Sequence, residues 1–194
     1  MAIAYPIDLP ANGITSIEWR ALNAVVTSQS PFTYKQQVIA HGGQRWEATV
    51  NIAPLNKASA ATWKAALISL KGSSGTMLLG NPVYDVPQGT VSACTLSGDA
   101  GAETVTVTMT GSLKAGDYIQ LGSGSSAKLH QVLVDQSGNG SLEIWPALRT
   151  TYSSQSVVFN APKGLFRLSQ NMTSWSIDNA SIYGISFDAV EALT

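Results

Sequence analysis

Hydrophobic and polar residues alternate along much of this chain, and the period changes in a way that marks out its elements. From Pro31 the sequence reads "PFTYKQQVIAHGGQRWEATVNIAP". Phe32, Tyr34, Gln36 and Val38 fall on one side of a first extended run, and Trp46, Ala48 and Val50, with Ile52, on one side of a second. His41-Gly42-Gly43-Gln44 lies between them, and glycines that accept positive φ predict a β-hairpin spanning Pro31 to Pro54 with its turn there. The period then lengthens. In "NKASAATWKAALISLKG" Ala60, Trp63, Leu67 and Leu70 recur at helical spacing, Asn56 suits the N-cap, and Lys71-Gly72 suit the close of the helix.

From about Asp85 to Pro162 the runs are short. "ETVTVTMT" sets Val105, Val107 and Met109 against Thr104, Thr106, Thr108 and Thr110, and "DYIQLG", "KLHQVLV", "SLEIWPAL" and "SVVFN" follow with turn residues between them. Such spacing predicts a small barrel or sandwich. Longer runs return afterwards, with Trp175 and Ile177, then Tyr183, Ile185 and Phe187 alternating. One continuous β-domain fits this order, and so does a small barrel inserted into an outer domain. The insertion is the preferred reading, because "NPVYDVPQG" and "NAPKG" place proline and glycine at both junctions. An inserted barrel with its own core is expected to be separable.

Composition narrows the function. The 194 residues suffice for one or two domains, and only 12% are charged where about 25% is usual. A surface poor in charge suits polar uncharged strand faces, or faces buried against other subunits. Eleven basic and twelve acidic residues give a net charge of −1, with no basic run, so no sequence-specific nucleic-acid partner is expected. Cys94 is the only cysteine, which excludes an internal disulfide and a cysteine zinc cluster. No stretch approaches the roughly 20 apolar residues of a membrane span, and "MAIAYPIDLP" lacks the features of a cleaved signal. The expectation is a soluble protein.

Candidate chemistry is sparse. Gly122-Ser123-Gly124 with Ser125-Ser126-Ala127 superficially matches a dinucleotide fingerprint, but the following "KLHQVLVD" has period two, so no helix N-terminus would meet a phosphate. A strand connection is expected instead. "DQSGNG" begins like a calcium loop, yet its twelfth position is Pro146, and Asn139-Gly140 is better read as a tight hairpin turn. His41 in a turn and His130 in a strand have no neighbouring metal ligands in sequence. Neither a G-x-S-x-G elbow nor a Cys-His signature occurs. Only the fold could create a glycosidase carboxylate pair. No catalytic residue, metal or cofactor is expected, and most of the five tryptophans occupy apolar-periodic positions that suit a core.

The stretch "SPFTYKQQVIAHGGQRWEATVNIAPLNKASAATWKAALISLKGSSGTMLLGNP" resembles distal tail or minor tail proteins of long, non-contractile-tailed (siphovirus-like) bacteriophages, in which a hairpin and a helix precede a strand like "GTFLLGDP". Met77 and Asn81 are the departures in this chain's "GTMLLGNP". "LKAGDYIQLGSGSSAKLHQVLVD" and "LEIWPALR" resemble the small inserted barrel of the same proteins, and "GLFRLSQNMTSWSIDNASIYGISFDAVEAL" their closing segment. The resemblance implies a mainly β fold. Residues 1–84 and 163–194 would form a β-sandwich belt with one α-helix and a long hairpin, and residues 85–162 the inserted barrel. It further implies a homo-oligomeric ring, commonly a hexamer, in the virion at the distal end of the tail tube. Such a ring is assembled in the host cytoplasm and joins the tube to the hub and the host-recognition parts.

On that reading Phe32, Tyr34, Val38 and Trp46 are the candidate subunit interface, because a long hairpin carrying them offers more apolar surface than one small domain needs. The alternative is a carbohydrate-binding module that recognises a host surface glycan through Tyr118, Trp145 or Tyr152.

Overall fold

Alternation becomes strand almost wherever it occurs, in a computed structural model that describes residues 3–10, 13–82, 85–177 and 183–193. The first part holds β1 (Ile7–Asp8), β2 (Ile14–Gln29), β3 (Gln36–Leu55), α1 (Lys57–Ser69) and β4 (Met77–Gly80). The middle adds β5 (Ala93–Gly98), β6 (Thr104–Thr110), β7 (Ser112–Leu113), β8 (Tyr118–Leu121), β9 (Lys128–Val132), β10 (Gln136–Ser137), β11 (Gly140–Trp145) and β12 (Tyr152–Val158). The chain returns through β13 (Lys163–Leu168), β14 (Trp175–Ile177) and β15 (Tyr183–Glu191).

These strands form a seven-stranded sheet in the order β1-β4-β13-β15-β3-β2, with β14 also paired to β15. A closed barrel follows the order β11-β6-β5-β12-β8-β9, and β7 pairs with β10 beside it. The fold class is mainly β with one α-helix and a small barrel, as the periodicity predicts. In the outer part the layer facing the sheet is supplied by α1 and the barrel.

Local chemistry explains the helix. Asn56 caps it by accepting from the backbone N–H of Ser59 at 3.0 Å, and Ala60, Trp63 and Leu67 are buried along one stripe. Lys71 and Gly72 then turn left-handed, at φ 53° and 69°, and end it. Trp63 meets Phe187 of β15 with ring centroids 6.3 Å apart. On β3, Trp46, Ala48, Val50 and Ile52 alternate into the same core, which Met77, Leu79, Phe166, Leu168, Ile185 and Phe187 extend across the sheet.

The barrel has a second core, including Leu96, Val105, Val107, Ile119, Leu121, Leu142 and Ile144. It also contributes to the first one. Tyr118 and Leu129 are buried members of the sheet's core, and Trp145 packs against it. The indole of Trp46 donates to the carbonyl of Leu129 at 3.0 Å and meets the ring of Trp145 edge-on at 4.4 Å. Of the first expected junction, Val83 and Tyr84 lie outside the described residues, as does 178–182 of the closing segment. At the barrel's base the two chain crossings lie side by side, with Ala161 N donating to Asp85 O at 2.5 Å.

Two turns differ from expectation. Gly42 and Gly43 do not close a hairpin, because β3 runs on through them, 20 residues in all, and pairs with β2, along which Ile17, Trp19 and Ala21 alternate. Register steps from Asn23↔Gln44 to Val25↔Ala40, so Ala24 alone opposes His41, Gly42 and Gly43 in a wide bulge that Gly42 permits with φ 67°. The actual turn is at Ser30, whose carbonyl accepts from Tyr34 N at 2.9 Å while its N–H donates to Lys35 O at 3.0 Å. Nor is Asn139-Gly140 a hairpin tip. It joins β10, paired to β7, to β11, paired to β6 and β9, and the Asn139 side chain accepts from Met109 N at 2.9 Å. The glycine cluster does connect two strands, β8 and β9, through a single 3-10 turn at Gly124–Ser126.

Because Leu129 belongs to β9 yet is buried in the sheet's core, Leu129→Ala is expected to cost about 2–5 kcal/mol. Because Tyr118 and Leu129 tie the barrel into the sheet's core, the two are expected to unfold in one transition rather than to separate as the barrel's own core suggests. Urea unfolding followed by both tryptophan fluorescence and far-UV circular dichroism checks this, and separated midpoints would show two independent parts.

Candidate functional site

The longest strands in the chain run past the body of the protein. From Asn23 to Gly43 no residue is buried, so β2 and β3 continue beyond the sheet as a two-stranded arm solvated on both faces. Pairing places Val25, Ala40, Thr27 and Val38 on one face, and Val26, Ile39, Ser28 and Gln37 on the other. Lys35 and His41 are the only basic residues in the arm, and it has no acidic one. Its five pairs beyond the bulge reach about 17 Å. β2 is also the last strand of the sheet, so among the described residues its outer edge carries no partner strand.

The expected interface residues divide. Phe32 and Tyr34, at the arm's turn, are 92% and 74% exposed, and Val38 is 60% exposed. These three are together on the arm. Trp46 is 2% exposed and lies in the body between sheet and barrel, so its side chain is not available to a neighbouring subunit. The physical reason is the bulge: the second half of the expected hairpin belongs to the sheet, where Trp46 faces the core.

The expected glycan-facing aromatics are also largely used internally. Tyr118 is buried against Trp19 and Trp46, at centroid distances of 6.4 and 6.0 Å. Trp145 is half-buried, edge-on to Trp46, and its indole donates to Asn23 Oδ1 at 2.9 Å. Tyr152 is half-buried against the barrel's core. They do not present an open row of ring faces.

Where the arm leaves the body, barrel and sheet meet through charged groups. Arg149 donates to Glu191 Oε2 at 2.9 Å and to the carbonyl of Gln44 at 2.6 Å. Trp46 N also donates to Glu191 Oε2, at 3.1 Å, and Lys128 Nζ donates to the carbonyl of Ala192 at 2.9 Å. Burial lowers the Lys128 pKa, Glu191 opposes that shift and Arg149 adds to it. His130, fully buried nearby, has Nδ1 2.7 Å from the carbonyl of Pro146; a carbonyl only accepts, so Nδ1 carries the proton. Burial pushes its pKa down to about 4, ahead of an opposing contribution from that hydrogen bond. Sequence reasoning found none of Asn23, Gln44, Glu103, Arg149 and Glu191, because each lies far along the chain from its partners.

For other chemistry the arrangement offers little. Burial pushes the Cys94 thiol up to about 11, which keeps it protonated at neutral pH. Two of the surface grooves, of about 190 and 200 Å³, contain one carboxylate each, Asp188 and Asp85. Among the described residues, no group of three or more His, Cys, Asp or Glu is placed to hold a metal, and no helix is long and apolar enough to cross a membrane. Compared with models of known protein families and with curated proteins, the chain matches none.

Since the folded protein keeps His130 neutral while the unfolded chain takes up a proton near pH 6.5, this group's contribution is complete above that pH and lost as pH falls toward 4. Between pH 7 and 5 the loss should be about 2 kcal/mol. Urea midpoints at both pH values should show a smaller drop in His130→Asn, whose amide can still donate to Pro146, than in wild type. An equal drop would assign the pH dependence to another group.

Proposed function

We propose that the chain is a structural ring protein of a bacteriophage tail tip, of the distal or minor tail kind, with no active site. Copies associate through the arm and the outer edge of β2 into a homo-oligomeric ring at the end of the tail tube. The ring holds the hub and the host-recognition parts, and the barrel is carried as an appended part. The resemblance in sequence supplies the tail, the neighbours and the hexameric copy number.

One observation carries this reading: the arm has no reason to be stable alone. A two-stranded hairpin is marginal in water at best, and this one has apolar pairs on both faces and hardly any charge to keep a free edge solvated. An adjoining copy would cover Val25, Val26, Val38 and Ile39 and add strand partners along β2. In the proposed ring the arm of one copy meets a different patch on the next. Contacts of that heterologous kind build rings when the rotation closes.

The test places one lysine on each face of the arm. Val26→Lys with Val38→Lys changes only exposed positions, so monomer stability should stay within about 0.5 kcal/mol of wild type. Assembly should be lost. Light scattering coupled to size exclusion measures the mass, with an oligomer expected for wild type and a monomer for the double variant. A double variant of unchanged oligomeric mass would remove the arm from the contact.

A further inference from the structure

We infer that the barrel aims the arm, with Gln44 as the positioning residue through which it acts; this rests on the arm being the contact between copies. Asn23 and Gln44 face each other as the last pair before the bulge, one on each strand of the arm. Both are held by the barrel or its flank. Asn23 Oδ1 accepts from the Trp145 indole at 2.9 Å. Gln44 makes three such bonds: Oε1 accepts from Ala147 N at 2.7 Å, Nε2 donates to Glu103 Oε1 at 2.6 Å, and its carbonyl accepts from Arg149 Nη2 at 2.6 Å.

The bulge makes these bonds matter. With three residues opposite one, the ladder between β2 and β3 is interrupted immediately beyond Gln44, and an interrupted ladder bends. Past it, no residue of the arm is buried against the body. The direction of the arm is therefore set at its root. Over a lever of about 17 Å, a tilt of about 10° moves the tip by about 3 Å, a large part of the ~4.8 Å between paired strands. Such a displacement is enough to break edge-to-edge pairing with a neighbour.

Gln44 is suited to this task in a specific way. Its amide offers one acceptor to a backbone N–H and one donor to a carboxylate, and a glutamate there would face Glu103 with like charge. Its carbonyl contact with Arg149 also ties the root to Glu191 at the end of β15. Anything that shifts the barrel against the sheet shifts the arm as well, so engagement of the barrel and the geometry of the ring are linked.

The experiment measures arm direction directly. Spin labels on Thr33→Cys at the tip and Asp99→Cys on the barrel report one intramolecular distance when the labelled chain is diluted with an excess of unlabelled chain; the buried Cys94 does not compete for the label. Wild type should give one narrow distribution. Gln44→Ala, which removes two of the four root hydrogen bonds, should broaden it about twofold while far-UV circular dichroism stays unchanged. Gln44→Glu should broaden it at least as much, and Gln44→Glu combined with Glu103→Gln should restore the narrow distribution, because one amide donor again faces one carboxylate. A merely structural role would not produce that rescue.

Wild-type width in Gln44→Ala, or a swapped pair that stays broad, overturns the inference. So does a broadened arm that assembles as wild type does, since its direction would then not matter to the contact. Failure of the contact itself is read separately. It would appear as normal assembly of the Val26→Lys, Val38→Lys chain, while the label distances still decide whether the barrel aims the arm.

Discussion

A sheet with one apolar face needs a second layer, and here the only α-helix among the described residues is too short to provide all of it. α1 has 13 residues, about 20 Å of helix, and its Trp63 reaches the sheet at Phe187. The remaining apolar surface, around Trp46 and Trp19, is covered by the barrel. Trp145, Tyr118 and Leu129 are the residues that do so, with Trp145 edge-on to Trp46 at a centroid distance of 4.4 Å. The position of the barrel, the burial of Trp46 and the rooting of the arm all depend on this shared core.

The junction is polar as well as apolar, and the two components act differently. Burial of aromatic rings is non-directional and supplies stability in proportion to area. The Arg149–Glu191 pair is a poor source of stability, since removing both charges from water costs much of what their attraction returns. Its geometry is specific, however: one carboxylate oxygen accepts from both Arg149 and Trp46 N, and the guanidinium also binds the carbonyl of Gln44. Rings hold the barrel against the sheet, while charges and amides select its orientation. A barrel held in one orientation can serve as a fixed support for the arm.

Low charge acquires a physical meaning in this architecture. The solvated face of the sheet carries a small network in which Arg20 donates to Thr49 at 2.5 Å and Thr49 to Asp188 at 2.6 Å, whereas the arm carries only Lys35 and His41. Charge is sparse over the whole chain, at 12%, and sparsest along the arm, which suits a surface that the proposed ring would cover. The glycan alternative drew on Tyr118, Trp145 and Tyr152, and these rings are committed to the junction or to the barrel's core.

By itself the sequence determined whatever depends on near neighbours. The helix from its cap at Asn56 to its close at Lys71-Gly72 was legible, as were the alternation of Val105, Val107 and Met109 and the strand connection at Gly122–Ala127, because these are set by spacing and backbone freedom within a few residues. Phe32, Tyr34 and Val38 were picked out only as part of an apolar hairpin in need of a partner, and their place on an arm, two of them at its turn, came from the pairing of β2 with β3. Only the tertiary structure decided the rest. Gly42-Gly43 could be a turn or a bulge, and the choice fell to β2, which pairs across both halves of β3 and leaves the turn to Ser30. Trp46 carries the same alternation whether it faces a neighbour or a core, and the barrel, inserted dozens of residues later, made it core. Gln44 had no signal at all, since its worth comes from Glu103, Ala147 and Arg149, which are distant in sequence and meet it only when the barrel closes on the sheet.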